Sequence, residues 1–263
     1  MSAKKSNLNE DVFSFYKKQM NWRQVDNYLG WGIFNNIGYI RSDDLMYFDL
    51  GKFDLILDSL KATKGLILDL RKNSGGFIGY VAEIVGRFSS RDMDLGYFMW
   101  RNGPKHNDYE PLQKITSTPI SKTQYTQRVS VLIGRESASA CEFLAYSMNL
   151  LDNVILVGDT TKGNVISPTQ DSLKDGTIYE IPRAALLDIN QQPLEGRGAV
   201  PDYYIRYDEN NLNGKDPIID FAFEYLKVNN AYNKQLLMNR IIKVRNSAKN
   251  EEGSLKKRFK TRP

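Results

Sequence analysis

The chain has 263 residues, 41% hydrophobic and 25% charged, with a formal net charge of +5, which fits one large globular domain or two small ones. Its single cysteine, Cys141, excludes an intramolecular disulfide and a Cys-rich metal site, and its single histidine, His106, excludes His-pair metal sites. Much of the positive charge gathers near the C-terminus (Lys243, Arg245, Lys249, Lys256, Lys257, Arg258, Lys260, Arg262), so the body is near neutral and nucleic acid is not an expected partner.

In chain order, residues 8–30 are mixed, with Val12, Phe13, Phe15 and Tyr16 suited to one face of a short helix. Ile37-Gly38-Tyr39-Ile40-Arg41 alternates as a strand does. Phe53, Ile56, Leu57 and Leu60 fall at i, i+3, i+4 and i+7, the spacing of an amphipathic helix. Gly65 to Arg71 is a short apolar run that predicts a strand buried on both faces, broken at Asn73-Ser74-Gly75-Gly76. Val81, Ile84, Val85 and Phe88 predict a second helix. Then come a strand at Val129–Ile133, a helix at Cys141–Leu151 and a buried strand at Val154–Gly158. Later strands are expected at Tyr179–Pro182 and Ala184–Asp188. A closing helix is expected at Ile218–Val228, with Asp216 as cap and Pro217 at its first position. No apolar run reaches the roughly 18 residues of a membrane span. The start, Met1-Ser2-Ala3-Lys4-Lys5, is not a secretory signal, and the compartment stays open.

Alternating strands and helices imply an α/β protein with a mostly parallel sheet and flanking helices. The organisation expected is a peripheral N-terminal segment (1–36), one α/β domain (37–228) and a basic C-terminal helix or tail (229–263).

The segment Ser137-Ala138-Ser139-Ala140-Cys141-Glu142-Phe143 is the most informative. It joins an apolar, strand-like run to a helix-like one. A serine at such a junction sits where backbone N–H groups are free to hold an anion, which suits a nucleophile whose carbonyl substrate becomes an oxyanion. A plain serine N-cap is the competing reading.

Four segments together decide between them: G-L-I-L-D-L-R-K-N-S-G-G (Gly65–Gly76), S-A-S-A-C-E-F, V-G-D-T-T-K-G-N (Val157–Asn164) and E-G-R-G-A-V-P-D (Glu195–Asp202). On these motifs, and on Gly214-Lys215-Asp216-Pro217 before the last helix, the chain resembles the S41 peptidases. That group comprises the C-terminal processing and tail-specific proteases, the tricorn core and the interphotoreceptor retinoid-binding protein repeats. The resemblance implies a fold of the ClpP/crotonase type, a serine-type peptidase acting on a peptide or protein, no cofactor, and Ser139 as nucleophile. The oxyanion donors expected are the N–H groups of Ala140, Gly76 and Gly75.

The general base departs from the family patterns. The lysine of the tail-specific proteases matches Asn164, with Lys162 out of register. The tricorn histidine matches Arg41, which does not deprotonate near neutral pH. His106, in R-N-G-P-K-H-N-D-Y, resembles a segment of bacterial S41-like proteins. It reads either as the general base, with Asp108 orienting it, or as a surface-loop histidine. Glu195 matches a tricorn glutamate that supports catalysis, and Arg41 or Arg197 is its expected ion-pair partner. Asp69 and Arg71 are expected to be structural, and Cys141 a small core residue. The rival function is a non-catalytic peptide- or lipid-binding descendant of the same fold. A His106 within hydrogen-bond reach of Ser139 separates the two.

Overall fold

A computed structural model describes residues 7–105, 107–120, 124–209 and 212–228. The elements are α1 (Glu10–Gln19), β1 (Arg23–Gln24), β2 (Leu29–Phe34), β3 (Ile37–Ser42), α2 (Leu50–Leu60), β4 (Gly65–Asp69), α3 (Gly79–Gly86), β5 (Met93–Trp100), β6 (Gln113–Ser117), β7 (Arg128–Ile133), α4 (Ala140–Met148), β8 (Val154–Gly158), β9 (Ser167–Ser172), β10 (Ile178–Leu187), β11 (Tyr203–Tyr204) and α5 (Pro217–Lys227).

The main sheet has seven strands in the order β1-β2-β3-β4-β7-β8-β11. Its central strands are buried on both sides, and their side chains alternate between two cores. Leu66 and Leu68 of β4 and Val129, Val131 and Ile133 of β7 pack with α2, α3 and α4. Ile67, Leu132 and Val157 point the other way, toward α1 and α5. The i, i+3, i+4, i+7 residues of α2 are all buried, as their spacing requires. At α5, Asp216 caps the helix by accepting from Ile218 and Ile219 N–H, with Pro217 at the first turn.

Most pairings of the main sheet are parallel, and what the sequence did not foresee are its antiparallel edge and a second sheet. β3-β4-β7-β8-β11 pair in parallel, but β1-β2 and β2-β3 are antiparallel. A separate four-stranded sheet, β6-β5-β10-β9, is wholly antiparallel. The strands absent from the sequence reading lack its signals. β2 reads L-G-W-G-I-F, and glycine weakens a strand pattern; Gly30 is required because a Cβ there would overlap the Trp22 indole. β9 (S-P-T-Q-D-S) is polar throughout. The two expected strands of 179–188 are one, β10, with a bulge between Pro182 and Ala184. Within 7–36, β1 and β2 extend the main sheet, and Phe13 and Met20 are fully buried against it. The expected basic tail, 229–263, lies outside the described residues.

Four connections meet at the carboxyl ends of the parallel strands: 43–49 after β3, 70–78 after β4, 134–139 after β7 and 159–166 after β8. In open α/β sheets that edge is the usual place for a ligand.

Candidate active site

Ser139 closes the turn from β7 into α4 with φ 57° and ψ −129°. A positive φ is unusual for a residue with a Cβ and costs on the order of 1–3 kcal/mol, so it persists only where the surroundings impose it. Here they do. The Ser139 N–H donates to Asn164 O at 2.8 Å and to Glu142 Oε1 at 3.1 Å. The Ala138 N–H donates to Asn73 O at 3.1 Å. The result is a half-buried serine on a sharp strand-to-helix turn. Ser137 differs. It is fully buried, its hydroxyl donates to Leu70 O at 2.8 Å, and it accepts from Gly134 N–H at 3.1 Å. Cys141 is buried too, and burial pushes its thiol well above the ordinary range.

Glu142 is the residue whose role the sequence reading missed. It is 1% exposed and accepts four hydrogen bonds: Ser139 N–H, Asn164 N–H at 2.7 Å, Gly163 N–H at 2.5 Å and the Thr161 hydroxyl at 2.5 Å. One carboxylate thus ties the Ser139 turn to the 161–164 connection. The signal was a serine followed three residues on by glutamate, the pattern of a capping box. Asn164, the position of the family lysine, contributes its backbone, and Lys162 is exposed with its N–H on Ser137 O at 2.9 Å.

Gly75 faces this turn, and Gly76 faces Leu45 and Met46. A Cβ on Gly75 would lie 2.6 Å from Ser139 Cβ and 3.1 Å from Ala140 N, so only glycine lets the two turns close. Asn73, fully buried, shapes the glycine turn: its Oδ1 accepts Gly75 N–H at 2.9 Å and its Nδ2 donates to Ser42 O at 3.1 Å. The Gly75 N–H is therefore engaged. Gly76 pairs with Leu45 in a short parallel bridge, through Leu45 N–H on Gly75 O and Phe77 N–H on Leu45 O, which leaves the Gly76 N–H outside it. Among the described residues, no acceptor takes the N–H of Gly76 or of Ala140.

Arg41 and Glu195 are not brought together. Arg41 lies on the α1 side of β3 with Tyr39, because alternate residues share a face. It forks onto Glu10 (2.7 and 2.9 Å) and Asp43 (2.6 and 2.7 Å) and lies over the Phe13 ring. It lines a cavity of about 440 Å³ with Lys17, Trp22 and Tyr28. Burial works against its charge, but the two carboxylates overcome that, and its proton is held more firmly than usual. Glu195 Oε2 instead accepts Val165 and Ile166 N–H at 2.7 and 3.1 Å, which shapes the connection leaving Asn164. Arg197 pairs with Asp188. The expected ion pair of Glu195 with Arg41 or Arg197 is thus replaced by backbone contacts.

Asp69 and Arg71 are held in a buried network on the α1/α5 face. Arg71 bridges Asp69 and Asp216 at 2.8 Å each, and the Tyr39 hydroxyl donates to Asp69 at 2.5 Å. Burial works to raise the Asp69 carboxyl, but the Arg71 charge beside it brings it below the ordinary value. Asp216 stays raised, burial being the larger effect.

His106 lies outside the described residues. Asp108 Oδ2 accepts Lys105 N–H at 2.9 Å. Among the described residues, no hydrogen bond joins segment 101–109 to Ser139.

The peptidase family S41 model matches residues 36–205. The tricorn protease of Thermoplasma acidophilum is 28% identical over 193 residues, 72% of this chain and 16% of its own length. The carboxy-terminal processing protease CtpA of Bacillus subtilis is 28% identical over 170 residues, 64% of this chain and 34% of its own. The chain therefore spans about a third or less of these curated relatives. A candidate peptidase from Parabacteroides merdae superposes with a TM-score of 0.77 at 26% identity, over 84% of this chain and 71% of that one. The tricorn protease crystal structure does so at 0.55 and 26%, over 73% of this chain and 18% of that one. These neighbours and the two-sheet topology overturn the ClpP/crotonase expectation: the fold is that of the S41, C-terminal processing and tricorn proteases. With the family match covering more than half of its length, the chain belongs to peptidase family S41.

Proposed function

We propose that the chain is a serine peptidase that hydrolyses peptide bonds through a Ser139 acyl-enzyme. Ser139 Oγ attacks the peptide carbonyl carbon and loses its proton to a base. The carbonyl oxygen takes the electron pair and is held by the Ala140 and Gly76 N–H groups. Collapse of the tetrahedral adduct breaks the C–N bond, and the amine leaves with the proton. Water then hydrolyses the ester. The observation that carries this reading is the strained Ser139 turn closed against Gly75, with the N–H groups of the adjoining Ala140 and of Gly76, next to Gly75, unclaimed among the described residues.

His106 is the proposed base. Its loop springs from the end of β5, where Trp100 pairs with Ala184, and Ala184 pairs with Ser167. Ser167 is three residues beyond Asn164, which holds Ser139. This common rooting supports the assignment, with Glu142, Asn73 and Glu195 as residues that position the turns.

A fluorophosphonate probe tests it. Labelling at Ser139 is expected, falling as pH drops through about 6.5, and His106→Ala should lower its rate about 10²- to 10⁴-fold. Unchanged labelling in His106→Ala removes the base assignment alone. An unlabelled wild type that binds peptide or an apolar ligand tightly favours the non-catalytic reading.

A further inference from the structure

The bridge that fixes Gly76 also presents an unusual surface. Leu45 is fully buried, yet Met46 and Tyr47 after it are 55% and 75% exposed, and Phe77, next to Gly76, is 57% exposed. Tyr47 is the most exposed large hydrophobic side chain among the described residues. None of this comes from a loose loop. Asp44 Oδ1 accepts the N–H groups of Met46 and Tyr47 at 2.6 and 2.9 Å, and the Leu45–Gly76 bridge pins the segment from the other side. Tyr28 stacks on Tyr47 with ring centroids 6.2 Å apart, and Phe77 meets Tyr80 edge-on at 5.3 Å.

We propose that Met46, Tyr47 and Phe77 form a contact surface for an apolar side chain of the peptide substrate, within about two residues of the scissile bond. The proposal rests on the serine-peptidase reading and adds a preference to it. Gly76 carries one of the two oxyanion donors, and Phe77 is its chain neighbour while Met46 follows its bridge partner. A peptide whose carbonyl reaches Gly76 N–H must therefore run past this surface. Exposed aromatic and methionine side chains held on rigid backbone lose little freedom on binding, and such residues dominate binding hot spots. The Tyr28 and Tyr80 contacts still leave Tyr47 and Phe77 more than half exposed, and covering the patch with an apolar side chain removes both surfaces from water.

The test measures binding, so it does not depend on turnover. In the Ser139→Ala protein, short labelled peptides carrying Leu or Phe at each successive position are compared with the same peptides carrying Ser there. At one position at least, the apolar peptide should bind about tenfold more tightly. Tyr47→Ser and Phe77→Ser, each in the Ser139→Ala background and each checked for an unchanged thermal midpoint, should reduce that ratio to about twofold or less. No apolar preference at any position, or a preference intact in both variants, overturns the proposal. Its failure is distinct from failure of the peptidase reading, which fails if the wild type is not labelled at Ser139. An unlabelled wild type whose Ser139→Ala form keeps the Tyr47- and Phe77-dependent preference would retain the surface and lose the peptidase.

Discussion

Two buried carboxylate centres stand on opposite sides of the main sheet, and they are neutralised by different means. Glu142 sits at the start of α4 and takes its hydrogen bonds from three backbone N–H groups and one hydroxyl, with no cation paired to it among the described residues. Asp69 and Asp216, on the α1/α5 side, share the Arg71 guanidinium. A backbone N–H is fixed in the chain, so a carboxylate that gathers several of them dictates the path of the main chain. A guanidinium at the end of a side chain joins whole elements, here β4 and the cap of α5. The first arrangement suits a turn that must hold a serine at positive φ; the second suits an anchor between layers.

The largest effect should come from the ion-pair centre. Arg71→Met leaves two buried carboxylates without their cation and should cost about 3–5 kcal/mol, read from the urea midpoint. A loss under about 1 kcal/mol would mean that the network is not an anchor. Glu142→Gln should cost less, about 2–3 kcal/mol, because the amide accepts at one oxygen and turns its NH₂ toward N–H donors. Its fluorophosphonate labelling rate should nevertheless fall by about 10²-fold, since a nucleophile displaced by about 1 Å loses that much. A stable, normally labelled Glu142→Gln would erase the distinction between the two centres. Smaller again is Ser137→Ala, expected at about 1–2 kcal/mol because Leu70 O loses a buried donor. That should lower the thermal midpoint by about 2–8 °C, and labelling at Ser139 should persist, which separates the two serines of the motif.

How much of this was legible beforehand depends on where the information lies. The β4, β7 and β8 strands show in the sequence as short continuous apolar runs buried on both faces, and helices α2, α4 and α5 show through their apolar periodicity. The strand-to-helix turns that carry Ser139 and Gly75-Gly76 were legible from the segments that flank them, whereas the choice of Ser139 over Ser137 came from the family resemblance. Glu142 and Asn73 stood in the same motifs, but their roles depend on partners far away in the chain, Gly163 and Ser42 among them, which no local pattern shows. The Arg41–Glu195 pairing failed for a reason of parity. Tyr39 and Arg41 point to one side of β3, toward α1, where Glu10 and the adjoining Asp43 supply the carboxylates. The antiparallel sheet was mostly invisible: β9 is polar, and β5 is interrupted at Gly96 by a bulge.

The smallest expected effect at neutral pH also gives the finest discrimination between the two centres. Phenols belong to the ion-pair centre alone. Tyr39 donates to Asp69, and burial together with that carboxylate's charge raises its phenol well above 10. Burial and the nearby Asp216 push Tyr207 up to about 12. A raised phenol pKa in the folded chain contributes stability that is fully present below the unfolded value of about 10 and is lost as pH climbs toward the folded value. Each such tyrosine therefore withdraws about 1.4 kcal/mol per pH unit across that window. Tyr39→Phe should cost only about 1 kcal/mol at pH 7, because Asp69 keeps both of its Arg71 contacts. Above pH 10 the same variant should lose stability less steeply than the wild type, by roughly that one-proton slope, so that the two urea midpoints converge and then cross. Parallel curves would show that Tyr39 ionises without opposing the fold, and the ion-pair centre would then be wetter than its burial implies. Glu142 accepts from no phenol, so Glu142→Gln should keep the wild-type alkaline slope while remaining the poorly labelled variant.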